Sequence, residues 1–96
     1  MFDLLVEFVG TFIFLTVVLT AGQAIPIAIA LAAVIFFSSG ISPGHFNPAI
    51  STMFFAKGTI TLEKFVGFVV AQVLGGLLAL LLLFINSVVG KKMLRK

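Results

Sequence analysis

Charged residues cut this chain into a few apolar blocks. Asp3 and Glu7 stand near the start. Residues 8–56 then carry no formal charge apart from a possible one on His45. Lys57, Glu63 and Lys64 form a small polar island, residues 65–90 are again uncharged, and "KKMLRK" follows. A helix that crosses a bilayer needs about 20 mostly apolar residues. The block after the island predicts one such helix over 62–89, with a basic tail at 90–96. The first block is too long for one helix and must turn. "AGQAIP" at 21–26 supplies a break at Gly22 and a proline suited to a first helical turn. That predicts helix one over 4–21 and helix two over 25–39.

Residues 40–57 fit neither pattern. "GISPGHF" reads as a loop, and "PAISTMFFA" after it is a short apolar helix of roughly 13 Å. That is under half of a hydrocarbon layer of about 30 Å. It reaches halfway across a membrane and no further. Small residues also recur four apart, at Gly67, Ala71 and Gly75 and at Ala24, Ala28 and Ala32. Such stripes let membrane helices approach closely, though they also belong to ordinary membrane-helix composition.

Composition narrows the class. The 96 residues are 61% hydrophobic and 9% charged, where a soluble domain carries about 25% charged residues. A soluble fold this small could not hide so much apolar surface. The expected fold class is an all-α membrane protein, with three transmembrane helices and one re-entrant half-helix. The expected location is integral and multi-pass, in the cell (inner) membrane, with membrane lipid as a partner. The acidic start "MFDLLVEF" does not resemble a signal peptide. Net charge is +3, but the basic residues lie at chain ends and turns and build no face for nucleic acid. There is no cysteine, so thiol chemistry and Cys-ligated metal are excluded. One histidine and three carboxylates make no credible catalytic cluster, so no enzyme, metal site or cofactor is expected.

Asn47-Pro48 reads as a helix start, because asparagine is a preferred N-cap and proline a preferred first helical residue. Placed at mid-membrane, that start would aim free N–H groups and the positive helix end at a pore or binding site. The competing reading is a surface loop followed by a short interfacial helix. Glu7 is costly near a membrane interior and needs a partner, unless it stays at the interface. Gln72 sits mid-helix, where an interhelical hydrogen bond is its natural role.

The segment "SPGHFNPAIS", with Asn47-Pro48-Ala49, resembles the first signature of the aquaporin, or major intrinsic protein, family of water and glycerol channels. "EFVGTF" at 7–12 resembles that family's first helix, and "FVGFVVAQVLGG" at 65–76 its third. The resemblance implies a unit that occurs twice, inverted, in full-length members, of which this chain matches the first. It implies a pore closed by a second copy as an antiparallel homodimer with dual topology, and a tetramer of such dimers. Asn47 would present its amide to permeating water or hydroxyls, and carbonyls of residues 40–46 would form an acceptor ladder. Pro43 and Gly44 would permit an extended loop there. His45 would lie near the pore mouth, as a brace of the loop or a pH-dependent gate, and Glu7 would accept hydrogen bonds from the loop.

Departures from the family bear on selectivity. Ile50 follows the motif, where water-selective members carry arginine after their second copy of it. Counting back from the motif puts Ile27 and Ile35 at the filter positions on the helix and Gly44 at the loop position. An aliphatic, uncharged filter implies water plus small neutral solutes such as glycerol, with proton exclusion the least secure feature. The basic residues divide between Lys57 and Lys64 on one side and Lys91, Lys92, Arg95 and Lys96 on the other, a weak topological bias. A non-conducting truncated half, one half of a split channel needing a separate partner chain, and a small membrane-active protein are the competing readings.

Overall fold

A computed structural model describes residues 1–95. Helix α1 spans Phe2–Ala21, α2 Ala24–Ser38, α3 Pro48–Lys57 and α4 Leu62–Leu94. No strand forms among the described residues. The turns fall where local chemistry demands them. Gly22 closes α1 in the left-handed conformation, φ 61°, a geometry cheap only for glycine. Pro26 occupies the first turn of α2, where its missing N–H has no intrahelical partner to lose. Gly58 closes α3, its N–H donating to the Phe54 and Phe55 carbonyls. Thr61 then caps α4, its hydroxyl accepting from the Lys64 N–H at 3.2 Å.

Two of these helices, α1 and α4, are long and apolar enough to cross a bilayer. α2 has 15 residues, or about 22 Å of helix, and falls short of an upright crossing. α4 is longer than its sequence pattern suggests: it runs to Leu94, through Gly90 and into the basic segment expected as a tail from residue 90. Lysines in a last turn complement the negative end of the helix dipole, which favours that continuation.

The distribution of polarity is the reverse of a soluble domain's. Glu7, Thr11, Ser38, Ser42, His45, Ser51 and Gln72 are buried. Phe2, Phe36, Phe37, Leu62 and Phe84 are among the many large apolar side chains that face outward. Water would penalise that outer surface by about 25 cal/mol for each Å², and lipid would not.

α1 packs most extensively on α4, and α2 and α3 then flank that pair, α2 on α1 and α3 on α4. The Gly67, Ala71, Gly75 stripe faces α1. A Cβ on Gly75 would lie 2.6 Å from the Phe8 carbonyl oxygen and 3.1 Å from the Phe12 nitrogen, both backbone atoms that cannot swing aside. The second stripe behaves differently: Ala24, Ala28 and Ala32 are all exposed.

Gly75→Val should therefore destabilise the protein by about 3 kcal/mol, the upper end for overpacking, because backbone cannot yield. Gly90→Ala, where an added Cβ meets nothing within 4 Å, should be near neutral. Thermal unfolding in detergent, followed by far-UV circular dichroism, compares the two.

Candidate functional site

The site is built around one carboxylate. Glu7 lies on α1 and is fully buried. Its Oε2 accepts from the Ser42 hydroxyl at 2.6 Å and the His45 N–H at 3.0 Å. Its Oε1 accepts from the Phe46 N–H at 2.8 Å and the Gln72 amide at 3.0 Å. Four donors on two oxygens use an ionised carboxylate's accepting capacity well. They also tie together α1, the loop over 39–47 and α4. An irregular loop inside a membrane has no water to satisfy its N–H groups, so protein must do it.

A second layer extends from there. Gln72 also donates to the Ser51 hydroxyl at 2.9 Å, and His45 Nδ1 lies 2.8 Å from that same oxygen. With Gln72 donating, the Ser51 hydroxyl proton is available to Nδ1. The His45 ring stacks on Phe54, centroids 4.9 Å apart, and meets the edge of Phe68 at 5.2 Å. His45 is 4% exposed, so the structure gives it the packing and bonding of a loop brace.

The loop is kinked rather than evenly extended. Gly40 and Gly44 have φ of 86° and 71°, and Phe46 has φ 53°. A Cβ on Gly44 would fall 2.9 Å from the Ser38 hydroxyl. A bulky residue at positive φ costs about 1–3 kcal/mol and persists only where its surroundings hold it. Phe46 is held at both ends, by its N–H on Glu7 and by its buried ring seated against Gly10. None of the described hydrogen bonds uses a carbonyl of residues 40–46 as its acceptor, so those oxygens remain available.

Asn47 follows the kink and caps α3. Its Oδ1 accepts from the Ala49 N–H at 2.8 Å, and Pro48 is the first helical residue. Oδ1 is thus engaged, no described hydrogen bond uses the Asn47 amide NH2, and Asn47, Pro48 and Ala49 are all exposed. Asn47 and Pro48 border an open groove of about 520 Å³ between α1 and α4, lined also by Thr11, Phe14, Gln72 and Leu77. Thr11 Oγ1 and Gln72 Oε1, both buried, have no hydrogen-bond partner.

The remaining expected residues are less closely grouped. Gly44 lies against Ile35, whose Cα is 3.7 Å from the position of a Gly44 Cβ. Ile27 sits two turns earlier on α2, roughly 12 Å along the helix axis from Ile35. Ile50 is half-buried on α3. None of Ile27, Ile35 and Ile50 lines the groove beside Asn47. Ser42, Ser51, Phe46 and Gly10 were not singled out from sequence, although all serve the site. Only Gly10, three residues after Glu7 and thus on the same face of α1, carried a local signal.

The polarity reversal and the helical fold define a helical integral membrane protein with a polar network buried inside it. Its family is then specific: the family model described as major intrinsic protein matches residues 2–95, and the chain belongs to that family. Among similar proteins, "Glycerol uptake facilitator protein-like 6" of Lactiplantibacillus plantarum is 38% identical over 84 residues, covering 78% of this chain and 39% of that protein. "Probable aquaporin TIP1-2" of Oryza sativa subsp. japonica is 45% identical over 60 residues, covering 62% and 24%. "Aquaporin Z" of Photorhabdus laumondii is 30% identical over 64 residues, covering 67% and 28%. The chain thus spans well under half the length of these relatives. No solved structure matches it.

Removing the carboxylate by Glu7→Ala strands buried donors at about 1–3 kcal/mol each. Loss of at least about 3 kcal/mol in thermal stability is expected. Glu7→Gln keeps the volume but turns an N–H pair toward other donors. Hydrogen–deuterium exchange at the His45 and Phe46 amides should then accelerate while the α1 and α4 cores stay protected. Unchanged exchange in the loop would show that something else holds it.

Proposed function

We propose that this chain is half of a passive membrane channel for water and small neutral solutes such as glycerol. A second half-unit in inverted orientation completes the pore, and a second copy of this chain, as an antiparallel homodimer, can supply it. In this reading the chain crosses the cell membrane three times, with α2 as the shortest crossing, and residues 40–57 re-enter. Pores of this kind would assemble further as a tetramer of dimers.

One observation carries the reading. The Glu7 cradle holds the loop ahead of α3, so that Asn47 caps that helix at the edge of an open groove, while the carbonyls of residues 40–46 accept no hydrogen bond within the chain's described residues. Donors and acceptors in a file can replace the hydration of water or a polyol without any reacting group. The positive end of α3 at the same point disfavours cations and protons. Names of the relatives point the same way, to glycerol uptake and to aquaporins. Ile27, Ile35 and Ile50 lie outside the groove of the single unit, and in the assembled pore they would supply an aliphatic, uncharged filter that discriminates less. Alone, the unit would leave the exposed Asn47 amide against lipid, a cost that an inverted partner removes. The exposed Asn47 beside an open groove equally fits one half of a split channel with a different partner chain.

Two measurements test this. Proteoliposomes of the purified chain should shrink several-fold faster than empty liposomes in stopped-flow light scattering. Asn47→Asp, which replaces the donating amide with an acceptor, should return the rate most of the way to the empty value. Rates equal to empty liposomes would reject the self-sufficient pore and favour the split-channel reading. Single cysteines introduced at Phe2 or Leu94, in a chain with none of its own, should each label from outside in about half of the molecules if both orientations coexist. Labelling of one terminus alone would exclude the antiparallel dimer.

A further inference from the structure

The two ends of α4 differ sharply in charge balance. At its start, Lys64 pairs with Asp3 and Glu63 lies in the first turn. Lys57 nearby sits over the Phe54 ring, 6.0 Å from its centroid. At its far end, Lys91, Lys92 and Arg95 are exposed, and among the described residues they form no ion pair. The three side-chain carboxylates of the chain, Asp3, Glu7 and Glu63, all belong to the other end or to the buried site. Glu63 is roughly 42 Å of helix away from Lys91. A Debye length of about 8 Å removes any neutralisation over that distance.

Helix geometry gathers these cations. Lys91 and Arg95 are four apart and Lys92 and Arg95 three apart, so all three fall within an arc of about 100°. Like charges at such spacing repel, unless an anion bridges them. Directly beneath, on the same face, Leu81, Phe84 and Val88 are exposed to 51%, 64% and 39%. From Lys64 to Lys91 the helix rises about 40 Å, close to the thickness of about 40–45 Å for a bilayer with its headgroups. With Lys64 at one headgroup layer, the cation cluster meets the other.

We propose that Lys91, Lys92 and Arg95, with Leu81, Phe84 and Val88 beneath them, form a binding site for an anionic phospholipid. The headgroup phosphate bridges Lys91 and Arg95, with Lys92 beside it, and an acyl chain runs along the apolar side chains below. The combination of cations above and an exposed apolar stripe below fits an amphiphile of this polarity. A free phosphate would use only the upper half. This assignment does not depend on the pore reading, since it uses none of the residues at Asn47 or Glu7.

Spin-labelled lipids read the site directly. In liposomes of phosphatidylcholine, electron paramagnetic resonance of trace labelled phosphatidylglycerol and labelled phosphatidylcholine gives their relative association with the protein. Phosphatidylglycerol should be preferred several-fold, each cation contributing a factor of at most about five. The preference should fall toward one in K91Q/K92Q/R95Q, weaken at high salt, and persist in K57Q. The single variant R95Q should lower it by itself, which decides the matter if the triple variant inserts poorly. Absence of preference in the unaltered chain, or its full retention in R95Q and the triple variant, would overturn the site. Displacement of the labelled lipid by millimolar inorganic phosphate at constant ionic strength would also overturn it, in favour of a free-anion site.

Discussion

The buried carboxylate of Glu7 is the constraint on which the rest depends. A chain that breaks its helix inside lipid must satisfy the freed N–H groups from within. Glu7 takes two backbone N–H groups of the loop, at His45 and Phe46, together with the Ser42 hydroxyl and the Gln72 amide. Burying an ionised carboxylate is itself unfavourable, and becomes tolerable only with its oxygens fully engaged. Loop and carboxylate therefore stabilise each other. Neither arrangement is reasonable without the other, which accounts for the burial of a charged group in so apolar a chain.

That mutual dependence propagates outward. With its N–H fixed on Glu7 and its ring against Gly10, Phe46 is held at positive φ. The next residue, Asn47, then emerges extended, at φ −157° and ψ 123°, in position to cap α3. Close approach of α1 and α4 at Gly75 brings Gln72 within reach of Glu7, and Gln72 in turn reaches Ser51 on α3. Ser51 meets His45, which packs between Phe54 and Phe68. A substitution in the α1–α4 contact is thus felt at Asn47, through packing rather than through charge.

What this geometry leaves open is also informative. Exposed Asn47 borders an open groove that buried Thr11 and Gln72, each with an unpaired oxygen, also line, and the alanine stripe of α2 is exposed. The chain spans only part of the length of its relatives, and the proposed second half-unit would meet these surfaces. At the far end of α4 the uncompensated cations face outward, away from the site, and look to the membrane surface instead.

Much of this was legible in the residue order. The turn at Gly22, the start of α3 at Asn47-Pro48 and the apolar surroundings follow from local dihedral preferences, capping and hydropathy, which act over a few residues. Family membership was legible too, because three short motifs carry it in the right order. The end of α4 was not, since a basic segment reads equally as a tail or as a favourable last turn. The family resemblance implied the loop as Glu7's partner, but neither which of its groups bind nor Gln72; these partners lie 35 to 65 residues away along the chain. Sequence alone indicated that Gln72 would seek an interhelical partner, that Glu7 would need one if it left the interface, and that Asn47 would begin a helix. Only the tertiary structure decided that Ser42, Ser51, Phe46 and Gly10 join them and that His45 becomes a brace. The physical reason is that hydrogen-bond demand is a property of each residue, whereas its satisfaction depends on which helices pack close enough to meet it.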